Sequence, residues 1–111
     1  MPARIGILGG TFDPVHVGHL ILGETAREQL SLDRVLFMPT GLQWRKAGRE
    51  IASAKHRVAM VRLAIAGNPA FEGSTIEVDR AGPSYTADTL EELHNGEPDA
   101  GLFFIVGGDA L

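Results

Sequence analysis

The chain has 111 residues, of which 44% are hydrophobic and 22% charged, with a formal net charge of −4 and no cysteine. That balance fits one ordinary globular domain with a modest core, and it excludes disulfides, thiolate metal sites and thiol catalysis. With no broad basic stretch to meet a phosphate backbone, nucleic acid is not expected as a partner.

No apolar run is long enough to span a bilayer, and Met1-Pro2-Ala3-Arg4 leads directly into a short strand rather than a signal peptide. The absence of cysteine fits a cytoplasmic location. In chain order, Ile5 to Leu8 is short and continuously apolar, as a strand buried on both faces of a parallel sheet should be. Beyond the glycines that follow, Leu20, Ile21, Leu22, Ala26 and Leu30 recur at helical spacing. Val35 to Met38 predicts a second strand, ended by Pro39, and Thr40 to about Ala52 is a polar loop carrying Trp44, Arg45, Lys46 and Arg49.

Ser53 is placed to cap a helix running through Val58, Met60, Val61, Leu63 and Ile65 and closed by Gly67-Asn68-Pro69. Ser74 to Val78 alternates and predicts a third strand, nearer an edge. Gly82-Pro83-Ser84 breaks that pattern, and Thr86 to Leu93 predicts a short helix ended by Asn95-Gly96. Leu102 to Val106 is the clearest strand, followed by Gly107-Gly108-Asp109. Strands alternating with helices imply right-handed βαβ units, hence an α/β, Rossmann-like, doubly wound parallel sheet. The expected order is 3-2-1-4. Its switch point then falls between the first and fourth strands, with the turns after Leu8 and Val106 flanking one crevice.

Three properties meet in Gly9-Gly10-Thr11-Phe12-Asp13-Pro14-Val15-His16-Val17-Gly18-His19. Gly9 and Gly10 lack a Cβ, which permits a sharp bend and the close approach of a ligand. A helix starting near Gly18 should point unpaired N–H groups and its positive dipole end into the turn, which favours an anion. His16 and His19, three positions apart, can present two imidazoles to one bound group.

This block, Gly10-Thr11-Phe12-Asp13-Pro14 followed by His16-Val17-Gly18-His19, resembles the signature of the nucleotidyltransferase superfamily that carries an HxGH motif. Gly82-Pro83-Ser84-Tyr85-Thr86 is similar to the GPSYT element of bacterial nicotinate mononucleotide adenylyltransferases, where amides at a helix start can receive the nicotinate carboxylate. Gly107-Gly108-Asp109-Ala110-Leu111 resembles the family's Gly-x-Asp-[Ser/Ala]-Leu, whose aspartate bonds a ribose hydroxyl. Lys46 keeps the place of a phosphate-reaching lysine, although Gln43-Trp44-Arg45 stands where the family has Pro-Pro-His. Trp44 either stacks on a base or pins its loop.

The resemblance implies adenylyl transfer from ATP to nicotinate mononucleotide in NAD biosynthesis. His16 and His19 would act on the phosphates. Gly9, Gly10, Thr11, Phe12, Gly18, Lys46, Gly107 and Asp109 would bind the nucleotide, and Ser84, Tyr85, Thr86 and Trp44 the acceptor. Mg²⁺ would arrive with the triphosphate; no protein metal site is expected, and Asp13 is expected to stabilise the turn. Nicotinamide mononucleotide or phosphopantetheine as acceptor, or a non-catalytic nucleotide-binding module, are the rival readings. The family's chain continues past position 111, so residues 1–111 are expected to form one nucleotidyltransferase domain incomplete at its C-terminus. Such a piece should bind ATP weakly, be inactive alone, and be open to pairing with another copy along Leu102–Val106.

Overall fold

The computed structural model describes residues 2–41, 53–80 and 85–105. Strand β1 (Arg4–Gly10) is followed by helix α1 (Val17–Gln29), β2 (Arg34–Pro39), α2 (Ala54–Ile65), β3 (Phe71–Gly73), α3 (Thr86–Gly96) and β4 (Gly101–Ile105). All strand pairs are parallel, as the alternation of strands and helices implies, and the order is the expected β3-β2-β1-β4. The chain walks outward from β1 to β3 and then returns to the far side of β1. Right-handed crossovers therefore put α1 and α2 on one face and α3 on the other. The reversal point lies between β1 and β4.

Ile7, Val35 and Phe37 are wholly buried, in keeping with strands covered on both faces. Phe37 is the centre of the α1/α2 side, its ring tilted against that of Phe71 at 4.8 Å and that of Phe12 at 6.0 Å. Helix α1 meets this aromatic layer at Gly23, the one buried residue of the helix; a Cβ there would lie 3.0 Å from Phe37 Cζ and 3.4 Å from Phe71 Cζ. Close approach at Gly23 tilts the helical stripe. Leu20, Leu22 and Ala26 pack on the core, whereas Ile21 and Leu30 from the expected apolar set are exposed. On α2 the buried residues are Arg57, Val61 and Ile65, four apart, and Leu63 faces solvent.

The third strand is displaced from its expected place. Phe71–Gly73 forms it, and Ser74 to Val78 does not. Phe71 has a buried aromatic to anchor it, while the alternating stretch is diverted by its own short polar side chains. Ser74 Oγ accepts from the Ile76 amide, Thr75 Oγ1 donates to Asp79, and the Asp79 amide closes a turn on the Thr75 carbonyl. Local bonds of this kind compete with a sheet ladder.

Candidate functional site

At the carboxyl end of β1, Gly9 and Gly10 stay in the ladder opposite Met38 and Pro39. The expected bend at these glycines is therefore absent, because pairing with β2 keeps them extended. The left-handed residue is Phe12, with φ 52°. That conformation costs a non-glycine residue about 1–2 kcal/mol, and the burial of its ring offsets it: Phe12 is only 2% exposed. The ring meets His19 edge-on, at 4.8 Å and 74°, and so backs one imidazole of the site. A Cβ at Gly9 or Gly10 would make only ordinary contacts, at 3.6 and 3.5 Å. Packing among the described residues does not require glycine at either place.

The two histidines are together. Their ring centroids are 3.9 Å apart, with His16 exposed and His19 half-buried. His16 is the N-cap of α1 in extended conformation, and the two residues cap the helix reciprocally. The Gly18 amide donates to His16 Nδ1 at 3.1 Å, and the His16 amide donates to His19 Nδ1 at 3.0 Å. This is a capping box built from imidazoles. It changes the expected picture of bare helix amides, since the His16 and Gly18 N–H groups are already engaged. With each Nδ1 accepting, the proton of each neutral ring sits on Nε2. Donor capacity is thus carried from the backbone out to the ring tips. Gly18 belongs to the same device, because a Cβ there would come within 2.8 Å of His16 Cε1.

Sequence reasoning did not single out Arg57. It is 2% exposed, and its guanidinium donates to the Thr11 carbonyl at 3.1 Å, the Thr40 carbonyl at 2.6 Å and the Gly41 carbonyl at 3.2 Å. Burial pulls its pKa below the ordinary arginine value, and the Asp13 carboxylate opposes that shift. An arginine starts high enough to keep its charge at neutral pH. The available signal was an arginine on the 57/61/65 stripe of an otherwise apolar helix face.

A second network lies around the first turn of α3. Thr89, fully buried, donates to Glu77 Oε2 at 2.9 Å and accepts from Arg80 Nη1 at 3.0 Å, while Arg80 Nη2 pairs with Glu92 at 3.2 Å. Tyr85 is the N-cap of α3, exposed and with no side-chain cap bond, and Thr86 is the first helical residue. Thr86 therefore does not cap the helix. Lys46, Trp44, Ser84, Gly107 and Asp109 lie outside the described residues. Among the described residues, no group of three or more His, Asp or Glu could hold a metal ion, and no helix is long and apolar enough to cross a membrane.

Residues 7–111 match the cytidylyltransferase-like family. A relative from Corynebacterium kroppenstedtii, named a probable nicotinate-nucleotide adenylyltransferase, is 51% identical over 108 residues, which is 97% of this chain and 51% of its own. One of the same name from Roseiflexus sp. is 56% identical over 109 residues, 98% of this chain and 54% of its own. Among solved structures, a putative nicotinate-nucleotide adenylyltransferase from Vibrio parahaemolyticus superposes with a TM-score of 0.77 at 24% identity, over 96% of this chain and 59% of that one. The Plasmodium falciparum nicotinic acid mononucleotide adenylyltransferase complexed with NaAD gives 0.72 at 18%, over 92% and 50%. At those identities the likeness to solved structures is one of fold. The chain spans about half the length of the curated relatives it matches.

Proposed function

The chain belongs to the cytidylyltransferase-like family, and from that premise we propose that it carries the nucleotide-binding half of a nicotinate-nucleotide adenylyltransferase. The observation that carries this reading is the pair of imidazoles at the start of α1, 3.9 Å apart, with both Nδ1 atoms held by backbone amides. Two Nε2–H donors side by side suit the oxygens of a triphosphate, and the relatives' shared name supplies the acceptor.

In the proposed reaction a phosphate oxygen of nicotinate mononucleotide attacks the α-phosphorus of ATP in line. A P–O bond forms as the bond to pyrophosphate breaks, and pyrophosphate leaves with that electron pair. The attacking oxygen is already ionised near neutral pH, so no general base is needed. The protein contributes placement and charge stabilisation. His16 and His19 donate to the phosphates, with Thr11 and Lys46 assisting, and the lack of a side chain at Gly9 and Gly10 lets the nucleotide lie against β1. Mg²⁺ enters as part of the substrate, MgATP. The acceptor is assigned to Tyr85, Thr86 and Ser84, and the ribose to Gly107 and Asp109.

His19→Ala is expected to lower pyrophosphate release by orders of magnitude in the intact protein while its folding is kept. The assay takes MgATP with nicotinate mononucleotide, nicotinamide mononucleotide and phosphopantetheine in turn. Near-normal turnover in the variant, or preference for another acceptor, would refute the assignment.

A further inference from the structure

The geometry points to Arg57 as the positioning residue that couples the phosphate-binding loop to the loop after β2, and so sets where the His16–His19 pair stands. The inference rests on the nucleotide-binding reading given above. Burying a guanidinium on a core stripe is costly, and an apolar residue of similar volume would serve helix packing as well or better. What offsets the cost is the set of acceptors. The carbonyls of Thr11, Thr40 and Gly41 all lie just past the carboxyl ends of the adjacent strands β1 and β2. One planar fork reaches both loops at once.

From there the contacts run two ways. Thr11 precedes Phe12, whose left-handed backbone and buried ring back His19. In the other direction, Gly41 lies so close to residue 77 that a Cβ on it would stand 2.2 Å from the Glu77 carbonyl oxygen. Glu77 in turn accepts from Thr89 on α3, whose first turn follows the acceptor stretch. Arg57, only 2% exposed, therefore stands between the two halves of the site. A lysine keeps the charge but is a compact point donor, unable to fork across two loops.

The test is Arg57→Lys, with Arg57→Gln alongside, in the isotope-labelled intact protein. Three readouts are taken: titration with MgATP and separately with tripolyphosphate, the imidazole Nε2 signals of His16 and His19, and amide exchange at residues 11–13 and 40–41. In Arg57→Lys the amide spectrum of β1, β2 and β4 is expected to stay in place. Affinity for both phosphate ligands should fall about tenfold or more, the His19 signal should shift, and exchange should rise in both loops together. Binding, imidazole signals and loop exchange all matching the unsubstituted chain would overturn the proposal. If the unsubstituted chain itself ignores MgATP, the nucleotide reading fails separately. The clamp is then decided by loop exchange and the His19 signal: a joint rise and shift sustains it, and no change overturns it. Should Arg57→Gln unfold, Arg57→Lys alone decides.

Discussion

Two arginines hold opposite ends of the same sheet by donating to backbone carbonyls, and they do so under different conditions. At the amino end, Arg4 is exposed; its Nε and Nη2 both reach the Leu30 carbonyl, at 3.0 and 2.7 Å, and its guanidinium lies 4.6 Å from the Phe103 ring centre. It caps the C-terminus of α1, where a cation suits the helix dipole. At the carboxyl end, Arg57 is buried and takes three carbonyls from two loops. Water can replace Arg4 at its post. Nothing replaces Arg57. The contrast separates an end of the sheet that merely needs closing from one whose loops must be held in a fixed relation.

The contrast can be broken most forcefully at Phe12, which the carboxyl-end loop strains and buries. Phe12→Ala should cost about 3 kcal/mol or more in urea unfolding. Phe12→Gly should cost about 1 kcal/mol less than the alanine variant, the reverse of the usual ranking, because φ is 52°. Equal losses in the two variants would show that the backbone there is unstrained.

Gly18→Ala comes next. Its Cβ would intrude on His16, so pyrophosphate release in the intact protein should fall roughly tenfold or more, a loss of about 1.4 kcal/mol, with little change in melting temperature. An unchanged rate would mean that the His16 ring position does not matter. Thr89→Val strips the hydroxyl linking Arg80 to Glu77 and should destabilise by about 1–2 kcal/mol. Calorimetry checks that value, and a neutral result would mean that the two charged side chains close on each other directly. The smallest effect is expected at the amino end: Arg4→Ala should cost roughly 1 kcal/mol or less. A loss as large as that at Phe12 would erase the distinction between the two ends.

Sequence reasoning reached the strand order and the pairing of His16 with His19, because both follow from local pattern: apolar runs, helical spacing and glycines at strand ends. It missed β3 at Phe71–Gly73, since three residues carry no periodicity and the polar alternation of Ser74 to Val78 imitated a strand. Conformational freedom alone points to a bend at Gly9-Gly10. Pairing with Met38 and Pro39 removed that freedom and passed the left-handed conformation to Phe12.

What the sequence by itself determined was the α/β alternation, the reversal between β1 and β4, and two imidazoles at the mouth of the first helix. The tertiary structure alone decided how those imidazoles are oriented, and that a buried arginine on α2 ties the loops beneath them. The physical reason is one of range. Periodicity and capping act within a turn or two of chain, whereas Arg57 meets Thr11 from 46 positions away, a contact that no local pattern encodes.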